Sequence, residues 1–200
     1  MKRDGSYFKG ATAGLIAMLE ARSLETGEQC PRVARIALAL GRHMGLSGKE
    51  LRDLQFGAML HDIGKVVVPA AVLGKPGKLT EEEWEKVRPH PVVGHDILLS
   101  LGFPLRIALI AGQHHERYDG TGYPDRLTAT HISQLARLFA LADTYDAITS
   151  DRCWRKGRTH TVAIEELTTN AGKQFDPAIV EAFLELTPAQ LLDVDAVTWN

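Results

Sequence analysis

Cysteine is scarce in this 200-residue sequence. Cys30 and Cys153 are too few and too far apart for a disulfide framework or a cysteine-rich zinc site, which suits a reducing compartment. Net charge is nearly absent as well, and a formal −2 gives no electrostatic footprint for a polyanion such as duplex nucleic acid. No apolar run reaches the length of a membrane span, and the Lys2-Arg3-Asp4 opening lacks the apolar core of a secretory signal. Internal repeats and low-complexity tracts are missing, and so is the apolar/polar alternation of half-buried strands. With 44% hydrophobic and 24% charged residues, the composition is that of an ordinary folded domain with a substantial core. The expectation is a soluble, cytoplasmic, helical domain.

What is present is helical periodicity. Residues 1–9 are polar and read as a frayed or linking end. From Ala11 to about Ser23, Leu15, Ile16, Met18 and Leu19 suit a mostly apolar helix. A second helix carries Val33, Ile36, Ala37 and Leu40 and ends near Gly45. Ser47-Gly48-Lys49-Glu50 is a capping box that opens a third helix running into His61. Residues 66–79 read as a loop, with Val66-Val67-Val68 as buried extended chain. Thr80 and Glu83 cap a short helix with Trp84 and Val87 inward, and His90-Pro91 breaks it. Helices follow from Val92 to Leu101, from Pro104 towards His114, and from Ile132 to Thr149. Residues 116–130 form a loop, and a final helix pair lies near 160–170 and 178–186. The fold class is all-α, a helical bundle.

The candidate site starts at Ala58-Met59-Leu60-His61-Asp62-Ile63-Gly64-Lys65. An aspartate this deep in an apolar run is costly to bury without a partner, and a metal ion satisfies it together with the adjacent imidazole. Further candidate ligands recur at helix ends and kinks: His90, His114 with His115, and Asp143 within Ala140-Leu141-Ala142-Asp143. Taken singly, His90 reads as a capping histidine, one of His114 and His115 as solvated, and Asp143 as the partner of a buried backbone group. Together, four imidazoles and two carboxylates suit one or two first-row divalent metals such as iron, manganese or zinc. Magnesium and calcium prefer all-oxygen shells.

In the order of its motifs, the chain resembles the HD-GYP subgroup of the HD-domain metal-dependent phosphohydrolases. The resemblance runs from about Leu19 to Leu186. It rests on His61-Asp62-Ile63-Gly64-Lys65, Lys75-Pro76-Gly77-Lys78-Leu79, His90-Pro91 with Gly94, His114 to Pro124, Ala142-Asp143 with Tyr145-Asp146-Ala147, Asp151 to Lys156, and Gln174-Phe175-Asp176-Pro177. It implies an HD-domain helical bundle over residues 11–190 with a C-terminal helical extension, an N-terminal extension or linker over 1–10, and a tail over 191–200. It also implies a cytoplasmic bacterial signalling enzyme that hydrolyses cyclic di-GMP to pGpG or GMP, with two divalent metals, iron or manganese, or three where Glu25 takes part. In that family His61, Asp62 and Asp143 would hold the first metal, with Asp62 bridging, and His90, His114 and His115 the second. A hydroxide between the metals would be the nucleophile. Lys65 would contact the scissile phosphate, and Arg152 and Arg155 would grip substrate phosphate. Tyr123 and Pro124 would sit in a substrate-side or partner-docking loop. From the residues alone, the arginine pair also reads as a solvated basic turn and the Tyr123-Pro124 stretch as a tight turn.

The sequence departs from the family at Gln29, where members commonly carry a metal-ligating histidine, and an amide is a poorer ligand than an imidazole. Glu25 matches the glutamate of members that bind a third metal and also reads as a surface charge. Trp154 stands where tyrosine is usual. Two functions follow: an active phosphodiesterase, or a metal-deficient domain that binds the nucleotide or a partner protein without turnover. The family's usual sensory or receiver domain is not in this sequence, so the expected input is a regulatory or diguanylate-cyclase partner, or another part of a longer chain. A homodimer through the apolar first helix is a further expectation.

Overall fold

The computed structural model describes residues 5–21, 26–151 and 156–192. The described residues form helices α1 (Gly5–Glu20), α2 (Thr26–His43), α3 (Gly48–Leu60), α4 (Ala70–Leu73), α5 (Glu81–Val87), α6 (His90–Ser100), α7 (Leu105–Gln113), α8 (Gln134–Thr149), α9 (His160–Thr169), α10 (Pro177–Leu184) and α11 (Pro188–Leu192). Two 3₁₀ turns cover Ile63–Val67 and Ala129–His131. The all-α reading holds: among the described residues there is no strand, only the isolated bridges Asp119–Thr128 and Ala171–Phe175.

Both capping boxes form as their sequences dictate. The Ser47 hydroxyl accepts from the Glu50 amide, and Glu50 accepts from the Ser47 amide at 3.0 Å. Thr80 and Glu83 repeat this at α5, where Lys75 also reaches Glu83 at 2.6 Å and ties the preceding loop to the helix. Pro91 sits in the first turn of α6, where its missing N–H costs no hydrogen bond.

Two hydrophobic clusters divide the interior. One gathers α2, α8, α9 and α10 around Leu40, Phe139 and Phe183; the other gathers α1, α3, α6 and α7 around Phe56, Leu60, Leu98 and Phe103. The last turn of α3 contributes Ala58 to the first and Leu60 to the second, so the residues that follow emerge where the clusters meet. Immediately beyond, Gly64 lies against α6 so closely that an added Cβ would stand 1.9 Å from the His90 carbonyl oxygen. A Cβ on Gly94, in turn, would stand 3.2 Å from the Gly64 nitrogen. Two glycines in separate motifs therefore let backbone meet backbone, and this approach brings Asp62 and His90 together.

Several local expectations are corrected. α1 begins at Gly5 rather than Ala11, because Tyr7 donates to the Leu101 carbonyl at 3.0 Å and the Phe8 ring packs on Phe103 at 5.0 Å. Val66 and Val67 end the 3₁₀ turn rather than forming buried extended chain, and Val67 is 55% exposed; Val68 alone is extended and buried, against Val72 and Val87. Within residues 66–79, α4 is an additional short helix. Trp84 is 40% exposed, so Val87 alone of that pair points inward. At the C-terminal end α11 adds a turn beyond the expected helix pair and buries Leu191 in the first cluster.

Candidate metal centre

His61 closes α3, Asp62 opens the 3₁₀ turn that follows, and the Asp62 carboxylate faces two ways. Oδ2 lies 3.2 Å from His61 Nε2 and 2.6 Å from Lys65 Nζ. Oδ1 lies 3.4 Å from His90 Nε2 and 3.8 Å from His114 Nε2. Residues from four segments thus converge on one buried side chain: the end of α3, the start of α6, the end of α7, and Asp143 in the middle of α8. The ligand atoms of His90, His114 and His115 lie within 4.8 Å of one another.

The imidazoles are held in one tautomer by the same local device. His61, His90 and His114 each end or begin a helical turn, and each Nδ1 contacts the carbonyl oxygen three residues earlier. The partners are Ala58 at 2.8 Å, Val87 at 2.7 Å and Ala111 at 2.8 Å. A carbonyl can only accept, so Nδ1 carries the hydrogen and Nε2 of a neutral ring presents its lone pair. The consequence is visible between His90 and His114, whose Nε2 atoms face each other at 3.3 Å. Two lone pairs at that distance repel unless a cation lies near them. The ring of His115 is stacked on Tyr123, with centroids 4.8 Å apart and planes inclined by 17°.

Charge is unevenly distributed across the site. Burial works against ionised Asp62, yet His61 and Lys65 outweigh it and hold the carboxyl well below the usual range. Burial likewise opposes a charged Lys65, and Asp62 outweighs it, so the ammonium is retained. Burial pushes the Asp143 carboxyl up, opposed by His61 and reinforced by the Asp62 charge. On the other side burial pushes His115 down to about 3 and His114 well below its ordinary value, with neighbouring imidazoles adding to both shifts. Neutral imidazoles converging on a carboxylate, beside a second buried carboxyl, fit a divalent cation.

The loop after α7 builds the wall next to this centre. Glu116 is buried and accepts the amides of Asp125 at 2.7 Å and Leu127 at 3.1 Å, which fixes the return of the loop. A Cβ on Gly122 would stand 2.4 Å from the Arg117 nitrogen, so only glycine allows the loop to close on itself. Arg117 Nη1 donates to Gln174 at 3.0 Å and Nε to Thr121 at 2.9 Å. A cavity of about 390 Å³ opens here, lined by His114, His115 and Asp143 together with Arg117, Tyr123 and Gln174. A second ion pair flanks the centre: Arg32 of α2 grips the fully buried Asp146 of α8, one helical turn beyond Asp143.

Of the sequence candidates, His61, Asp62, Lys65, His90, His114 and His115 are brought together by these contacts. Asp143 joins them through its electrostatic coupling to His61, Asp62 and Lys65. Tyr123 stands over His115, with Pro124 following it through a cis peptide bond. Glu25, Arg152, Trp154 and Arg155 lie outside the described residues, as does the side chain of Gln29. Sequence reasoning assigned no role to Arg117, Gln174, Arg32 or Asp146. Their partners are 57 and 114 residues away, and no local spacing signals such pairs.

A helical bundle with a buried histidine–aspartate centre defines a class of divalent-metal-dependent folds, and the HD domain family matches residues 14–179 of this chain. The chain belongs to that family, in the HD-GYP group that its motifs resemble. Over 177 residues it is 39% identical to the cyclic di-GMP phosphodiesterase response regulator RpfG of Xanthomonas campestris, covering 85% of this chain and 46% of that protein. It is also 39% identical over 169 residues to 3′3′-cGAMP-specific phosphodiesterase 2 of Vibrio cholerae, covering 84% and 32%. The chain spans less than half the length of either relative. Among solved structures, the cyclic GMP-AMP-specific phosphodiesterase V-cGAP3 of V. cholerae shares the fold, with a TM-score of 0.69 at 23% identity over 92% of this chain and 51% of that one. No helix among the described residues is long and apolar enough to cross a membrane.

Proposed function

We propose that this chain is a metal-dependent phosphodiesterase of the cytoplasm that hydrolyses cyclic di-GMP to pGpG or GMP. The observation that carries the reading is the divided environment of Asp62, with one oxygen towards His61 and Lys65 and the other towards His90 and His114. The names of the relatives, which act on cyclic di-GMP and on cGAMP, support the substrate class. In this reading His61, Asp62 and Asp143 would hold one divalent metal and His90, His114 and His115 a second, with Asp62 contributing to both. Imidazole-rich sites with carboxylates suit iron or manganese, and Glu25 offers a carboxylate for a third ion. When bound, such metals make water nucleophilic at neutral pH and neutralise the phosphodiester.

The chain's own residues supply the rest. The carbonyls of Ala58, Val87 and Ala111 keep each Nε2 aimed inward, a role whose loss typically lowers metal affinity or activity about 10–100-fold. Lys65 keeps its protons because Asp62 lies 2.6 Å away, so Nζ is a fixed cation for a phosphate oxygen and for the charge that develops on the leaving oxygen. Tyr123, stacked on His115, shields that imidazole and restricts its rotation. Arg152 and Arg155 would grip substrate phosphate, as in the resembling family. The input signal would come from a regulatory or diguanylate-cyclase partner, and α1 would offer a dimer face.

The test is release of pGpG from cyclic di-GMP by the protein reconstituted anaerobically with Fe(II) or Mn(II). Turnover with either metal, lost on chelation, is the expected result. Nucleotide binding without turnover under both metals would sink the enzyme and leave the binding-module alternative raised by Gln29.

A further inference from the structure

We infer that the cavity beside the metal centre seats one base of the substrate and selects guanine over adenine, with Arg117 and Gln174 as the reading residues; this rests on the cyclic dinucleotide reading above. The argument starts from which way the hydrogen bonds run along the cavity wall. Arginine has no acceptor, so the Gln174 atom that meets Arg117 Nη1 at 3.0 Å must be the amide oxygen. The Gln174 Nε2 then points the other way, to the Thr144 hydroxyl at 3.4 Å. The Thr144 hydroxyl hydrogen is used on the Ala140 carbonyl at 2.9 Å, so Thr144 receives from Gln174 and cannot reverse the chain. At the other end Arg117 Nε donates to Thr121, whose hydroxyl donates to Asp119 at 2.6 Å.

What this polarity leaves over is donors. Nε2 of Gln174 has one more hydrogen than Thr144 takes, and Nη2 of Arg117 has its own pair to give. The carboxylates of the same loop are already engaged: Glu116 receives two backbone amides, and Asp119 receives the amide and hydroxyl of Thr121. A wall with spare donors matches the edge of guanine that carries O6 and N7, both acceptors. Adenine puts its amino donor where guanine has O6, and a donor facing a donor leaves both unpaired. Ala147 and Ile148 give the cavity an apolar side, and Tyr123 gives it an aromatic one, as a purine face requires. Because His114, His115 and Asp143 also line the cavity, a base seated here would have its attached phosphate close to the metal centre.

The test compares cyclic di-GMP, cyclic GMP-AMP and cyclic di-AMP as substrates of the metal-reconstituted full chain, and measures GMP and AMP binding by calorimetry. Wild type should favour cyclic di-GMP over cyclic di-AMP, and GMP over AMP, by about ten- to a hundredfold. Gln174→Glu keeps the shape and the Arg117 contact but replaces the spare donor with an acceptor. It should erase most of that preference while the melting temperature stays within a few degrees of wild type. Thr144→Val, which frees the amide to rotate, should weaken the preference less. Equal rates on cyclic di-GMP and cyclic di-AMP would overturn the inference and leave the hydrolysis reading standing. If no cyclic dinucleotide is turned over, the hydrolysis reading fails, and the GMP-over-AMP preference with its loss in Gln174→Glu still decides the inference. Equal binding of GMP and AMP would overturn it on its own.

Discussion

The two halves of the candidate centre solve the same burial problem differently. On the His61 side Asp62 is compensated by the protein itself, through the Lys65 ammonium and an imidazole held up by the carboxylate against the effect of burial. On the His90 side burial dominates: three imidazoles are pushed down, and the lone pairs of two of them, His90 and His114, face each other at 3.3 Å. The first half is therefore electrostatically tolerable without a metal, and the second is not. The expected ranking of affinity is a tight site at His90, His114 and His115 and a weaker one at His61 and Asp143, where Gln29 replaces the family's usual imidazole.

The largest perturbation removes the group common to both halves. Asp62→Asn keeps the shape of the side chain but takes away the charge facing His61, Lys65, His90 and His114. Losing an outer partner of a ligand costs about 10–100-fold, so losing this carboxylate should lower activity by more than about a hundredfold. Metal analysis should show both sites depleted. Full occupancy at the three-histidine site in Asp62→Asn would mean that the two halves are independent and that Asp62 does not span them.

A packing change breaks the comparison from the other direction, by moving the halves apart. Gly64→Ala would place a Cβ 1.9 Å from the His90 backbone carbonyl, which cannot rotate away as a side chain would. Overpacking of this kind costs about 1–3 kcal/mol, and the strain falls on the contact that sets Asp62 against His90. Thermal melting should show the loss, and metal titration should show weakened binding at both halves. Unchanged melting would mean that the 3₁₀ turn shifts freely against α6.

These two tests also mark what the sequence could reveal. His61, Asp62, His90, His114, His115 and Asp143 were legible because each violates its apolar surroundings, and a shared metal centre would explain them all. Gly64 and Gly94 were visible as motif letters, but their purpose lies in an approach between two segments that no single-segment pattern encodes. The same limit hid Arg117 with Gln174 and Arg32 with Asp146. Errors in the fold have local causes: a valine run suggested extended chain where the 3₁₀ turn leaves Val67 in solvent, and the polar start concealed Tyr7 and Phe8, which dock α1 on its neighbours.

Acid sharpens the contrast in the metal-free protein. A depressed imidazole stays neutral in the fold while the unfolded chain takes up its proton below about pH 6.5. Unfolding then binds protons, and stability falls as pH drops. His90, His114 and His115 all act in this sense, and the window for His115 extends down to about 3. His61 and Asp143, both shifted up, act oppositely: their contributions favour the fold in acid and fade as pH rises through their folded values. Three imidazoles outweigh them between pH 6.5 and 5, so chelated protein should melt lower at pH 5 than at pH 7.5. A level melting temperature across that range would mean that the three rings reach solvent once the metal is gone.

The smallest expected effect bears most directly on the ranking. Gln29→His would supply the imidazole that the family usually carries and should act on the weaker half alone. Because Asp62 there is already compensated by Lys65 and His61, the gain should be modest, about tenfold in affinity for one metal, the scale of a single coordination-sphere adjustment. Titration with Mn(II) should then show the weaker of two binding steps moving towards the stronger, while the stronger step stays fixed. If instead the tight step strengthens, position 29 serves the three-histidine half, and the assignment of the two sites is reversed. If neither moves, the weaker half is limited by the Lys65 ammonium that already occupies the Asp62 charge, and removing that cation in Lys65→Met should raise metal affinity there while lowering turnover.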